Sequence, residues 1–458
     1  MTEPDRPSLR RAWGLTYPLL VAGLTQIVVN LVDTIMLAHV STRALGAFAL
    51  AAPVYLVALI VVRGWATAVQ IQVARHHGEG SQDDIARTVR VGLIVAAVAG
   101  MVVGALLHAA AVPVLSLLGG SGELVGPGAA YLRVLAFAVP FAAISFTVQG
   151  ACAGIGATRI SMYTALLVNL VNLSLGLVLI FRAGLGVAGA ALATLTATVA
   201  GTGFLLLYGR RRLPSRATDM ASARDSARRL WRIGWPEMTT SGIGYFNEAL
   251  LAAFAAHMST RELAAYRIVD NLVLVTFTCL ASAATALTVL AGQELGRGSA
   301  ERAHTWHRTG LVLLALMLAV PSALALGLGQ PLLSLVTDDP AVARQAWAAT
   351  PLALLSLVPF VPAMGYAAQL RAAGETRAVL FASVTSDYLL LVPLGWLLGV
   401  HAGLGLPGLY LAWTAFGILY AAMLRRSRAR RVGGGGTRSR TPGRGGQSPT
   451  PSGSSQNL

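Results

Sequence analysis

The sequence predicts an all-α polytopic membrane protein, with twelve transmembrane helices in two six-helix lobes related by a parallel pseudo-two-fold repeat. Composition, the spacing of apolar runs and a fixed offset between two sets of landmarks carry that reading. Of 458 residues, 55% are hydrophobic and 12% charged, whereas soluble domains carry about 25% charged residues. Mean hydropathy is +0.65. The formal charge of +16 comes from arginine, since no lysine occurs. Those arginines gather at the N-terminus, at 210–212, at 224–232 and after Leu424, all outside the apolar runs. There they attract anionic headgroups and set orientation, so the expected partner of the charge is the lipid bilayer and not nucleic acid.

A spanning helix needs about 20 apolar residues. On that ruler spans fall near 15–38, 44–73, 90–111, 129–153, 161–182 and 185–208, then near 233–257, 262–292, 308–329, 346–371, 377–400 and 403–424. The first run is too long for a signal-peptide core, so it is expected to be retained. Connections at 118–128, 181–184 and 400–403 carry few arginines, while those at 74–90, 209–232, 293–308 and the tail carry many. Both termini are therefore expected on the cytoplasmic side.

The two sets of six read as copies. Trp13 and Pro18 match Trp231 and Pro236 at an offset of 218 (231 − 13), and at the same offset Gly78-Glu-Gly-Ser81 matches Gly296-Arg-Gly-Ser299. Pro113-Val-Leu-Ser-Leu117 matches Pro331-Leu-Leu-Ser-Leu335, and Gly156-Ala-Thr-Arg159 matches Gly374-Glu-Thr-Arg377. With one inserted residue, Gly184-Leu-Gly and Gly189 match Gly403-Leu-Gly and Gly408. Six spans per copy give both copies the same orientation, hence a parallel repeat about an axis along the membrane normal. The expected organisation is a lobe at 1–208, a cytoplasmic linker at 209–232 with a short amphipathic helix near 222–230, a second lobe at 233–430, and a disordered Arg/Gly/Ser/Pro tail at 431–458.

Polar groups inside the apolar runs mark the chemistry. Gln26, Asn30 and Asp33 recur at i, i+4 and i+7, one narrow stripe on the first helix. A carboxylate at that depth costs about 2.5–3.5 kcal/mol on insertion scales. Such residues default to ion or proton pathways, the alternative being a packing carboxyl bonded to a neighbouring helix. Cys152 and Cys279 lack metal-ligand spacing and read as packing residues. No P-loop, nucleophile elbow or His-Glu-x-x-His occurs, so neither ATP-driven transport within the chain nor an enzyme is expected.

Pro18 with Val32-Asp33-Thr34, Ala74-Arg75 with Gly78-x-Gly80, Gly156-Ala-Thr-Arg159, Gly189-Ala-Ala-Leu-Ala-Thr194 and Gly292-Gln-Glu-Leu-Gly296-x-Gly298 together resemble the multidrug and toxic compound extrusion (MATE) family, in its DinF-like bacterial branch. The likeness spans about residues 10–424. It implies a secondary antiporter of the bacterial cytoplasmic membrane that exports cationic or amphipathic small molecules, without a cofactor, against inward proton or sodium flow. A monomer is expected. The resemblance places the family's ion site on Asp33, Asn172 and Thr194, with Asn30, Gln26 and Asn169 extending it. Where sodium-linked members often carry a second acid, this chain has Gly176.

A rise of about 1.5 Å per residue puts Asp33 and Gly176 roughly 8 Å below their outer helix ends, with Asn172 and Thr194 one turn deeper. They can meet in the outer half of the first lobe, although ordinary interhelical hydrogen bonding would also account for Asn172 and Thr194. A lone carboxylate among neutral amides favours a proton over Na+, with sodium coupling as the alternative. In the second lobe Glu248, Asp270, Asp387 and Tyr245 form a candidate cation-binding wall. Asp270 can instead pair with Arg267 at i, i+3, and Asp387 is the repeat counterpart of Asn169 (387 − 169). The family's helix-seven glutamate falls here on Gly244, so its role is not carried over to Glu248.

Arg63, within the second span, is too deep to pair with Asp33 and reads as a snorkelling or inward-gate residue. His76, His77, His304 and His307 read as interfacial residues, and Tyr55, Tyr245, Phe246 and Tyr366 as either cleft aromatics or packing. A lipid-linked sugar flippase is the runner-up. It would favour a basic cleft for phosphate, whereas the deep charges here are mostly acidic.

Overall fold

The computed structural model describes residues 8–119, 122–214, 222–337 and 339–434. Among them no strand occurs. The first half comprises α1 (Leu9–Ala38), α2 (Thr42–Glu79), α3 (Gln82–Leu117), α4 (Gly122–Ala136), α5 (Ala138–Gly154), α6 (Arg159–Gly176, continued as a π-helical turn Leu177–Arg182) and α7 (Gly186–Arg212). The second comprises α8 (Ala223–Met258), α9 (Thr260–Gly296), α10 (Ala300–Val336), α11 (Pro340–Leu355), α12 (Phe360–Ala372), α13 (Thr376–Ser386), α14 (Val392–Leu394, between π-helical Asp387–Leu391 and Gly395–His401) and α15 (Leu406–Gly434).

Nine of these helices are long and apolar enough to cross a membrane, and two pairs each bent by 46°, α4 with α5 and α11 with α12, bring the number to eleven. The twelfth expected span exists as α8, but Thr239, Thr240, Asn247 and Glu248 interrupt its apolar run, so composition alone does not qualify it. The amphipathic segment expected near 222–230 is the first part of that same continuous helix. The expected tail falls mostly outside the described residues, its first four residues, 431–434, closing α15.

The repeat is written into the backbone. The starts of α2 and α9 (260 − 42) and of α3 and α10 (300 − 82) keep the offset of 218. Ser41 and Ser259 cap α2 and α9 alike, each accepting a backbone N–H three residues on at 3.0 Å. Gly80 and Gly298 take the left-handed conformation at φ 74° and 75°, the C-terminal turn that a Cβ would strain.

Each lobe has its own core, and the leading helices trade their first turns. Ala12 of α1 packs in the second lobe's core, while Leu230 and Ile233 of α8 pack in the first's. Further along, a Cβ on Gly64 of α2 would lie 2.7 Å from the backbone of Met238 on α8, and one on Gly23 of α1 would lie 2.7 Å from Thr278 of α9. At the ends of α2 and α9 the crossing is reciprocal: a Cβ on Gly78 would collide with the Gln293 carbonyl, and one on Gly296 with that of Arg75. Gln293 Nε2 then donates to Gly154 O at 2.9 Å, tying α9 to α5.

All these approaches lie in the half of the bundle that holds the termini. Beyond them the matching helix faces stay open: Asn30 on α1, Pro53 and Val57 on α2, and Arg267, Asn271 and Leu274 on α9 are exposed. Since Asn30 is two turns on from Gly23, and Leu274 and Asn271 follow the Thr278 face, these stripes diverge as the walls of a cleft. The cleft is closed at the terminal side and opens at the opposite face.

Candidate functional site

Two polar clusters occupy the lobes at cleft depth. In the first lobe, Asn172 on α6 is buried, at 4% exposure, five residues before the start of the π-helical turn (177 − 172). Its side chain stands beside the Asp33 carboxyl. Its Nδ2 also donates to Thr194 Oγ1 on α7 at 3.4 Å, and Thr194 donates onward to the Ala190 carbonyl at 3.0 Å. The threonine proton is thus committed to the backbone, which leaves its oxygen to accept from Asn172. An amide donating one N–H to Thr194 has its other N–H for Asp33. Asn172 therefore donates to Thr194 and keeps a second N–H that an ionised Asp33 would accept. A π-helical turn next to such a residue widens the backbone where it is used.

The remaining members of the expected ion site are placed differently. Gln26 Nε2 donates to Asn30 Oδ1 at 3.4 Å, and both side chains are exposed on the cleft face. Asn30 stands about 60° around the helix from Asp33, on the Gly23 side, whereas Gln26 faces within about 20° of Asp33 but lies two turns away along the axis, where it bonds to Asn30. Asn169 Nδ2 donates to the Thr25 carbonyl at 3.2 Å and so fastens α6 to the backbone of α1, not to the carboxyl. Tyr131 of α4, which the sequence reading missed, is buried within electrostatic range of Asp33 and Tyr55. A tyrosine near the start of a span reads as an interfacial anchor, so nothing local marks it. Tyr55 itself is buried and does not line the cleft.

In the second lobe Glu248 of α8 lies within electrostatic range of Arg267 and Asp270 of α9, with Tyr245, Tyr266 and Tyr410 in the same group. Arg267 and Asp270 form no ion pair within 4 Å; the Arg267 side chain is exposed on the cleft and serves both acids at longer range. Asp387 does not join that wall. It is 3% exposed, accepts from Ser383 Oγ at 3.1 Å and packs beside Asn247, because the α13 face that bears it turns into the lobe.

Near Asp387 lies an ion pair that the sequence reading did not single out: Arg371 Nε donates to Glu237 Oε1 at 2.9 Å, with Glu237 at 4% exposure. Glu237 follows Pro236 at the edge of an arginine-rich stretch, which disguises it as an interfacial acid. Tyr366 stacks on His307 with ring centroids 4.9 Å apart and carries Arg428 at 5.6 Å over its face, so it is engaged away from the cleft walls. Phe246 is 59% exposed. His304 Nδ1 accepts from Arg428 at 2.6 Å and His76 Nδ1 contacts Glu79 at 2.8 Å. Among the described residues, no three of His, Cys, Asp and Glu converge on a point where a metal could sit.

Comparison with known proteins places this geometry. Residues 18–178 and 239–397 match the MatE family. The multidrug resistance protein PmpM of Pseudomonas aeruginosa is 26% identical over 453 residues, with 93% of each chain covered. A crystal structure of MATE in its straight conformation superposes with a TM-score of 0.86 at 19% identity, covering 94% of this chain and 97% of that one. A MOP superfamily transporter from Pyrococcus furiosus, described by a reverse polarity of its binding pocket that suggests a different function, superposes with a TM-score of 0.85 at 19% identity over 92% and 95% of the chains. The two matched segments cover most of both lobes, and the chain belongs to the MatE family of multidrug transporters, a transporter and not an enzyme.

Proposed function

We propose that the protein is a secondary antiporter that exports cationic or amphipathic small molecules in exchange for protons by alternating access, with Asp33 as the coupling group. The observation that carries this reading is the buried Asn172, which stands beside the Asp33 carboxyl and donates to Thr194. Protonating Asp33 removes its charge and makes one carboxyl oxygen a donor while the other still accepts, so a charge-assisted bond from Asn172 becomes a weaker neutral one and the new O–H needs an acceptor of its own. The interhelical bonding of the site thus differs between the two protonation states, which is the differential interaction a coupled conformational change requires.

Organic cations would bind on the second lobe's wall, where the two acids Glu248 and Asp270 outnumber Arg267. With Gly176 in place of a second acid, Na+ would find one carboxylate and neutral amides, so protons are the favoured ion. The two acids also disfavour the flippase reading. Arginine placement supports a reading with both termini in the cytoplasm of a bacterial cell, and in that orientation the cleft would open outward. We read the transporter as a monomer.

Asp33→Asn keeps shape and hydrogen-bonding capacity but holds no titratable proton. Everted vesicles containing it should bind an organic cation and fail to accumulate it under a pH gradient. Accumulation at the wild-type rate, or wild-type transport that ignores a pH gradient and follows a sodium gradient, would sink the reading.

A further inference from the structure

Arg63 has a placement that cation export does not call for. It precedes Gly64, the residue pressed against Met238, and therefore stands at the level where α2 and α8 come together as the cleft floor. The residue is exposed within the span and is not packed into the core. Its head lies 5.6 Å from the ring centroid of Phe146 on α5, a cation–π contact that holds it inward and away from the headgroups a snorkelling arginine would reach. The acids of the molecule do not neutralise it: among the described residues Arg63 has no carboxylate within 4 Å, while Arg371, Arg297 and Arg302 all do. A guanidinium stays charged at any relevant pH, and desolvating one without a counter-charge is costly. Its planar fork matches a carboxylate in two parallel hydrogen bonds.

We propose that Arg63 is a substrate-binding residue that receives a carboxylate, so that the transporter takes zwitterions, molecules with a cationic group for the Glu248 and Asp270 wall and an acidic group for the cleft floor. This rests on the drug-export reading and specifies which amphipathic molecules fit it best. Rhodamine B, a dye cation with a free benzoate, and its ethyl ester, in which the benzoate is masked, form a matched pair of probes.

Binding is measured by fluorescence anisotropy on the purified full-length protein. The wild type should hold the acid more tightly than the ester, and Arg63→Gln should weaken the acid by about ten- to hundredfold while leaving the ester unchanged. Arg63→Lys, which keeps the charge and loses the fork, should fall between them and shows that loss does not come from misfolding. Equal affinity of the wild type for both dyes, or equal loss of both in Arg63→Gln, overturns the assignment and leaves the exporter standing. If the wild type binds neither dye, the drug-export reading falls together with it.

Discussion

The reciprocal crossing of α2 and α9 is the point at which alternating access can be tested most directly. If the lobes rock, this crossing exists only while the terminal side is closed, and anything that pushes it apart favours the opposite state. Gly78→Ala is the smallest such perturbation. Its Cβ would collide with the Gln293 carbonyl, a backbone atom that cannot rotate away, so the helices must separate. Overpacking of that kind costs roughly 1–3 kcal/mol. At about 1.4 kcal/mol per tenfold, the closed population should drop relative to the open one by a factor of roughly 5 to 150. A state in which the helices are already apart pays nothing, so stability need not fall with it.

Spin labels on Gln82 and Ala300, exposed repeat counterparts at the starts of α3 and α10, would report the separation at the terminal face. Cys152 and Cys279 are both buried and interfere little with labelling. Gly78→Ala should move the distance distribution toward longer values, and Gly296→Ala should do the same, because its Cβ meets the Arg75 carbonyl in the symmetric contact. An unchanged distribution in both variants, with the crossing intact, would refute the idea that this contact is the gate.

Two further outcomes follow from the same geometry. Arg371→Met leaves the Glu237 carboxylate buried without its partner and should destabilise the detergent-solubilised protein by about 3–5 kcal/mol, read as a lower melting temperature, whereas Arg371→Met combined with Glu237→Leu should recover most of it; a single variant as stable as wild type would show the pair to be solvated. Gly176→Asp places a Cβ 3.1 Å from Met36 Cε and 3.9 Å from Asn172 Oδ1, beside the existing carboxylate, and should introduce a sodium requirement into transport measured at equal pH on both sides; transport indifferent to Na+ in a folded variant would count against the charge argument for proton selectivity.

The architecture was legible because it rests on signals that repeat: apolar runs of spanning length, and glycines and prolines in two registers. Even so, α8 fell short on composition, since the residues that make it useful are those that lower its apolarity. The Asp33, Asn172 and Thr194 cluster was also legible, as depth along three helices is nearly a one-dimensional problem. What the sequence could not give was rotation. Asn30 is turned about 60° around α1 from Asp33 and so stays on the cleft face, and the facing of Asp387 follows from which side of its helix packs into the lobe. Tyr131 and Arg371 were missed for a related reason, since their partners lie on other helices and no spacing connects them.

The repeat also explains how the work is divided. Devices that set the backbone survive in both copies: Ser41 with Ser259, Gly80 with Gly298, Gly78 with Gly296. Charge deep in the bundle does not survive. Asp33 corresponds at offset 218 to Leu251, which is 1% exposed and fills a core, and Arg63 corresponds to Ala281. In the other direction Glu248 corresponds to Asn30, and the Glu237 and Arg371 pair to Leu19 and Ala153. A duplicated frame with identical charges would bind the same species on both sides of the cleft and could not distinguish the driving ion from its cargo. The chain keeps the glycines at which the lobes close on each other and diverges at the few ionisable positions deep in the bundle. On the reading proposed above, that asymmetry is what keeps proton and substrate on separate lobes while one rocking motion serves both.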